Sequence, residues 1–309
     1  MDRQERFRAA VAGEAVDRVP RTCWTHYMTE TLGGAEHARR HIIYQDEYDW
    51  DILKVVNDFH YPFPDGVETI RGPEDIDRFE PAPMTDYMFA EEIICLKMLR
   101  EHYGPGMPIL FTTFDPWRQV VRRAGMACIP ILKAHPEETL RMLRAVGESM
   151  CAFMAALREA GCDGIFFSVN SGNQPGSPLH ADDDTYELFM RPFEMEMLEA
   201  MAGMVRLIHL HGAPISLDRF ADYPVEVFSV SDKLAGNPSL GAIREATGKG
   251  VIGGVDESRI ADMTPDELRT QIRDTLATCG ERGLILAPGC TIPVYTPAHL
   301  IRILADKAD

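Results

Sequence analysis

Three side chains able to ligate a metal ion lie at the ends of two apolar runs. His209 and His211 close the run Val205-Arg206-Leu207-Ile208-His209-Leu210-His211, and Cys290 follows Leu284-Ile285-Leu286-Ala287-Pro288-Gly289. Imidazole nitrogen and thiolate sulfur suit zinc. Three protein ligands would leave a fourth position open for a substrate, the arrangement of a catalytic rather than a structural zinc. On extended backbone, residues two apart point to the same side, so His209 and His211 can converge on one ion if the extended geometry persists to residue 211. The same residues have plainer uses. A strand-end histidine pair also serves as a hydrogen-bonding group, and a lone cysteine is more often a buried structural thiol. Residue chemistry alone leaves metal binding open.

The elements that must position these groups follow from the apolar pattern. Residues 3–12 predict an entry helix. Strand candidates are 19–24, 50–56, 108–114, 163–169, 205–209, 225–230, 251–255 and 284–287. Between them the spacing predicts helices over 136–160, where Leu140, Leu143, Val146 and Met150 recur on one face, and over 183–203. Thr264-Pro265-Asp266-Glu267 is a capping box with proline at the first helical position, and Thr296-Pro297 is read as starting the last helix the same way. About eight strands separated by helices match a (β/α)8 barrel, here with an N-terminal helical extension. The stretch 57–107, long and rich in Pro, Asp and Glu, reads as an insertion after the second strand, a lid or a partner surface. A doubly wound open sheet is the main competitor, but no GxGxxG or P-loop signature follows a strand. No linker or repeat divides the chain, so residues 1–309 are read as one domain.

Composition bounds the function. The net charge of −17 repels phosphate backbones and anionic lipid, which argues against nucleic-acid or membrane-surface roles, although a local basic pocket inside an acidic protein stays compatible with it. No apolar run approaches the roughly 20 residues of a membrane span, and the charged N-terminus lacks a signal-peptide core. Seven scattered cysteines without a CxxC pair fit reduced thiols in a cytoplasm.

In a barrel, function gathers at the C-terminal strand ends. Asp51 is an acid inside an otherwise apolar run, read either as an inward-facing functional carboxylate or as a partly exposed neighbour of Asp49. His26 and Tyr27 follow the first strand, and Asn57, His60 and Tyr61 the second. Asn170 and Ser171 follow the fourth, Asp232 and Lys233 the sixth, and Asp256 the seventh. Each alone is more often turn chemistry than catalysis. Together they would line a polar mouth.

Several stretches then resemble the uroporphyrinogen decarboxylase superfamily over essentially the full length. Gly13-Glu14-Ala15-Val16-Asp17-Arg18-Val19-Pro20 is similar to its N-terminal "GE..DRVP", and Trp50-Asp51-Ile52-Leu53 to "SDIL". Ala160-Gly161-Cys162-Asp163-Gly164 resembles "AGAD", Gly253-Gly254-Val255-Asp256 the "GN(V/L)DP" position, and Ala287-Pro288-Gly289-Cys290 with Pro293, Thr296 and Pro297 the C-terminal signature. The resemblance implies a (β/α)8 barrel. It also separates two chemistries. True decarboxylases hold an acidic tetrapyrrole with arginines of an "RQAGRY" motif; here the stretch is Arg21-Thr22-Cys23-Trp24-Thr25-His26-Tyr27, without the arginine pair, and Cys290 stands where they carry histidine. The other branch, corrinoid-dependent methyltransferases such as the methylcobalamin:coenzyme M enzymes, resembles zinc enzymes with an "HxC…C" set. His209 and Cys290 match the outer positions, and His211 replaces the middle cysteine.

The resemblance therefore implies a zinc-dependent methyltransferase with His209, His211 and Cys290 as ligands and Asp51, Asn170 and Asp256 orienting the substrate. Cobalamin would be carried on a separate corrinoid protein. The expected partners are that protein, a small-molecule methyl donor or acceptor, and a second copy of the chain. One thiolate in place of two makes the zinc a stronger Lewis acid and a bound thiolate less nucleophilic. That argues against a coenzyme M-like thiol and toward an oxygen-bound methyl group or another acceptor. The rivals are a tetrapyrrole decarboxylase that has lost its arginines, and a non-catalytic barrel that binds a ligand or a corrinoid partner.

Overall fold

A computed structural model describes residues 1–307. Seven parallel strands form one curled sheet in sequential order. They are β1 (Leu53–Val55), β2 (Ile109–Phe114), β3 (Gly164–Val169), β4 (Val205–Leu210), β5 (Val227–Val230), β6 (Gly250–Val255) and β7 (Leu284–Pro288). The expected first strand, 19–24, is reduced to a single parallel bridge, Arg21 to Leu286. That segment still closes the ring. Leu286 N–H donates to the Pro20 carbonyl (2.9 Å), Thr22 N–H to the Leu286 carbonyl (3.1 Å), and Asp51 N–H to the Arg21 carbonyl (3.0 Å). Pro20 has no N–H to give, which shortens the ladder there. The architecture is a TIM-type β/α barrel, as the pattern predicted.

Strand residues alternate between two cores. Ile52, Val56, Leu110, Phe166, Leu207, Val227, Ile252, Ile285 and Ala287 pack inside the barrel, while Leu53, Val55, Ile109, Phe111, Ile165, Phe167, Ile208 and Leu286 pack outward under the helices. This is the period of two expected of strands buried on both faces. The entry helix Arg3–Val11 adds Phe7 and Ala10 to the inner core and so plugs the N-terminal end of the barrel.

The helices follow the sequence with three instructive differences. Thr264 forms the expected capping box with Glu267. Thr296 does not: the last helix is Ala298–Ala305 with Pro297 at its cap, and the Thr296 hydroxyl donates to the Pro293 carbonyl. Three residues after Thr296 stands His299, which cannot return the carboxylate half of a capping box. The helix expected over 183–203 is broken into Asp183–Thr185, a π-helical Tyr186–Met190 and Arg191–Ala200. Pro192 supplies no N–H to the preceding turn, and the wider π turn accommodates that gap. The 57–107 stretch carries the outer crossover helix Tyr87–Tyr103. It packs so tightly on helix Gly34–Tyr48 that a Cβ on Gly34 would lie 1.8 Å from the Glu91 carbonyl oxygen. Among the described residues no helix is long and apolar enough to cross a membrane.

Candidate metal centre

The inner positions that continue past the apolar layer toward the C-terminal mouth are mostly polar. On β1 that position is Lys54. On β2 they are Thr112 and Phe114, on β3 Ser168 and Asn170, and on β4 His209 and then His211. With Trp24, His26, Asn57, Arg118, Arg122, Cys290 and Thr291 these residues line a cavity of about 300 Å3. The run through β4 stays extended beyond its last strand residue, because His211 N–H still donates to the Val169 carbonyl (3.0 Å). Both imidazoles therefore face inward. Gly212, at φ +96°, then turns the chain away; a Cβ there would lie 2.6 Å from the Asn173 Oδ1.

His209, His211 and Cys290 bring their ligand atoms within 4.8 Å of one another. His209 Nε2 lies 3.4 Å from His211 Nδ1, and Cys290 Sγ lies 3.6 Å from the same Nδ1. Ordinary zinc–nitrogen and zinc–sulfur bonds at tetrahedral angles put such donors about 3.3 Å and about 3.6 Å apart. Two of the three donor pairs stand at the spacings of one tetrahedral ion, and the three donors would leave such an ion a position to spare. Ser229 Oγ is 3.0 Å from His209 Nδ1 and leaves Nε2 facing the cluster. Burial holds both imidazoles below the ordinary histidine value, with Arg118 adding to the effect at His211. Their neutral, ligating form prevails at neutral pH. Burial by itself would raise the Cys290 thiol, but hydrogen bonding with His209 and the Thr291 N–H brings it below its usual value.

The remaining predicted site residues divide. Asn170 lines the cavity. Asp256 does not: its Oδ1 accepts from Ser258 N–H (2.9 Å), Ser258 Oγ (2.6 Å) and Arg259 N–H (3.2 Å), which is turn chemistry. Asp51 lies before β1, at the plugged end of the barrel, fully buried and held by Arg18 (2.5 and 2.6 Å) and Arg6 (3.1 Å). It cannot touch a ligand in the cavity. The acid at the C-terminal end of β1 is Asp58, whose Oδ1 is 2.6 Å from Nδ1 of the cavity residue His26. Against the upward push of burial, His26, His37 and the Thr29 N–H hold Asp58 down to about 2.

Sequence reasoning passed over four groups at the site. Lys54 sits 4.0 Å from the Phe166 ring centroid and 4.2 Å from that of Trp24, and donates to Thr112 Oγ1 (2.9 Å). Burial lowers its ammonium to about 7 against the pull of Cys290 and Cys23. Its signal was a lysine at an inward position of an apolar strand, two residues from Val56. Arg118 and Arg122, one turn apart on helix Pro116–Ala124, reach the same cavity. Glu257, next to Asp256, is buried with Oε2 unpartnered among the described residues. Burial raises it, offset in part by Ser231.

Gly289 lets β7 end in this crowd. A Cβ there would lie 2.5 Å from the Ser231 Cα and 2.7 Å from Glu257 Oε2. Gly289→Ala is expected to cost about 1–3 kcal/mol by overpacking and to displace Cys290. A thermal melt beside a metal titration should show both a lower Tm and weaker metal binding; an unchanged pair would mean the backbone has slack here.

Residues 60–309 match the family model described as Uroporphyrinogen decarboxylase (URO-D), and the chain belongs to that family. No curated protein matches it by sequence. Among solved structures it is similar to a methyltransferase from Methanosarcina mazei, with 17% identity over 98% of this chain and 97% of the other, at a TM-score of 0.74. A B12-independent methionine synthase from Shewanella sp. W3-18-1 matches at 14% identity over 93% of this chain and 91% of that one, at a TM-score of 0.59. A putative vitamin-B12-independent methionine synthase from Listeria monocytogenes matches at 16% identity over 89% and 86%, at a TM-score of 0.57. At these identities the likeness is one of fold.

Proposed function

We propose that this chain is a zinc-dependent methyltransferase that moves a methyl group between a small molecule and a corrinoid carried by a separate protein. The observation that carries the reading is the donor spacing of His209, His211 and Cys290 at the cavity mouth, 3.4 and 3.6 Å. The likeness in fold to the M. mazei methyltransferase supports the choice of chemistry within the family. A bound zinc would supply Lewis acidity at its fourth position, where a methyl-bearing or methyl-accepting heteroatom would sit.

The chain's own residues do the rest. Ser229 holds the His209 ring plane through its contact with Nδ1. Cys290, its thiol held below the usual value, is the one anionic donor. Phe166 stacks on the His209 imidazole at 5.0 Å between centroids and keeps water from that side. Asn170 offers a polar contact to the substrate from β3. His26, backed by Asp58, can carry a proton at the cavity wall. Asp256 and Asp51 have no place in this chemistry.

A decarboxylase reading finds less support. Arg21, in the stretch similar to the decarboxylases' arginine motif, donates to the Leu304 carbonyl (3.0 Å). The cavity is at the small end for ligand pockets, so uroporphyrinogen is expected to yield no coproporphyrinogen. Purified protein stripped of metal should lose methyl transfer, followed through the absorbance of free methylcobalamin, and regain it with zinc; full activity without metal would overturn the proposal. Ser229→Ala removes the outer hydrogen bond to His209. It should raise the zinc Kd by roughly 10–100-fold with a near-normal melt. An unchanged Kd would show that Ser229 does not orient His209.

A further inference from the structure

Six lysines occur in the chain: Lys54, Lys97, Lys133, Lys233, Lys249 and Lys307. Five of them have ordinary surroundings. Lys133, Lys233 and Lys307 pair with Asp182, Asp232 and Asp49, and Lys97 and Lys249 are exposed. Lys54 alone is buried, and among the described residues no carboxylate pairs with it.

The nitrogen stands on the cavity wall between two ring faces, 4.2 Å from the Trp24 centroid and 4.0 Å from that of Phe166. Its one hydrogen bond goes to Thr112 Oγ1 (2.9 Å). The Thr112 hydroxyl donates its own proton to the Val55 carbonyl (2.6 Å), so it can only accept from Lys54. One N–H of Lys54 is thereby fixed. The rest of the nitrogen has no hydrogen-bonding partner among the described residues. The titratable groups around it come from four elements: Cys23 of the ring-closing segment, His41 of helix Gly34–Tyr48, His209 of β4 and Cys290 after β7. The two thiols favour the ammonium, and so do the ring faces. Burial outweighs the thiols, and the proton is given up more readily than from an exposed lysine. A desolvated lysine in an apolar pocket is the form in which proteins use this side chain as a nucleophile.

We propose that Lys54 is a nucleophile for carbonyl compounds, and that the cavity captures small aldehydes or ketones with an apolar body as imines of its amine. The neutral nitrogen attacks the carbonyl carbon. A C–N bond forms while the carbonyl π pair moves to oxygen. The nitrogen lone pair then expels that oxygen, and the two protons of the amine leave with it as water. Nothing is oxidised or reduced. His26, on the same wall and joined through Nδ1 to Asp58 (2.6 Å), is the proton carrier. Trp24, Val56, Phe114 and Phe166 give the cavity apolar surfaces for the rest of the molecule. An imine needs no zinc, so this activity goes beyond the methyl transfer proposed above and does not depend on it.

Benzaldehyde with sodium cyanoborohydride, given to the full chain at neutral pH, traps such an imine as a benzyl-lysine that peptide mass mapping locates. Lys54 is expected to be labelled roughly tenfold or more faster than the exposed Lys97 and Lys249. The preference should hold in the zinc-loaded and the zinc-free chain alike, and vanish in denaturant. Lys54→Arg keeps a cation but cannot form the imine. It should lose this label while the other lysines keep theirs, with near-ultraviolet circular dichroism recorded as the check on folding. His26→Gln should slow the labelling of Lys54 and leave that of Lys97 unchanged; an unchanged rate at Lys54 would overturn His26 as the proton carrier.

Labelling of Lys54 no faster than that of the exposed lysines in the folded chain would overturn the proposal. So would a preference for Lys54 that survives denaturation, since it would then belong to the local sequence and not to the cavity. The mapping on the native chain decides by itself even where Lys54→Arg does not fold. Failure of the metal reading has a different signature: no zinc is retained, while Lys54 is still labelled first.

Discussion

Replacing Cys290 by serine is expected to abolish tight zinc binding and, with it, methyl transfer. The loss should exceed the roughly 10–100-fold that an outer-shell partner such as Ser229 is worth, because a ligand itself is removed. The hydroxyl of serine is a harder, protonated donor at neutral pH, whereas the Cys290 thiol is brought below its usual value by His209 and Thr291. Cysteine is also the set's one anionic member, so its loss leaves two neutral imidazoles to hold a dication. Cobalt(II) in place of zinc gives an optical readout. The native protein should show the near-ultraviolet charge-transfer band of a thiolate–cobalt bond, absent in Cys290→Ser. His211→Cys, which restores a second thiolate, should keep the metal and strengthen that band. A Cys290→Ser protein that retains zinc with native affinity would remove the thiol from the site.

Asp51→Ala is expected to destabilise the fold by about 3 kcal/mol, the low end of the cost of breaking a buried ion pair because Arg6 keeps Asp17, out of a total stability of about 5–15 kcal/mol. Arg6 and Arg18 both converge on this carboxylate, and the Arg21 N–H donates to it at 3.0 Å. Removing it takes the ion-pair partner from Arg18, leaves Arg6 with Asp17, and frees the Arg21 N–H of the segment that closes the barrel. The effect belongs to stability and not to the cavity. Denaturant unfolding should show the loss, while the folded fraction keeps its metal and its ligand affinities. A stable Asp51→Ala with impaired methyl transfer would contradict the structural assignment.

Asp51 shows where sequence reading reaches its limit. The apolar run 50–56 was legible as a strand, but not which of its residues faced the mouth. The short likeness of Trp50–Leu53 to a family motif drew attention to an acid that the fold puts at the plugged end. The strand that forms is only Leu53–Val55. With Leu53 and Val55 in the outer core and Ile52 and Val56 in the inner one, the inward polar residue is Lys54. Read with that parity, the run would have given a buried cation in place of a buried acid.

His209 and His211 were legible because they sit two apart on an apolar strand, and the ladder bond from His211 keeps that geometry to the end. Cys290 was legible from its place after the last strand. Arg118 and Arg122 were not, since they enter from the first turns of a helix whose direction no strand pattern reveals. Asp256 and Glu257 are adjacent in sequence and part ways at the end of β6; the turn that Asp256 caps decides which of the two points toward Gly289 and Cys290. The first strand, expected over 19–24, was overdrawn because Pro20 interrupts its ladder.

The most direct measurement is the zinc content of the full chain after reconstitution and dialysis, by elemental mass spectrometry, for the native protein, Cys290→Ser and His209→Ala. One zinc per native chain is expected, with none retained by either variant while both keep a folded spectrum. A native protein that holds no zinc, or variants that hold as much as the native chain, would contradict a metal centre at His209, His211 and Cys290.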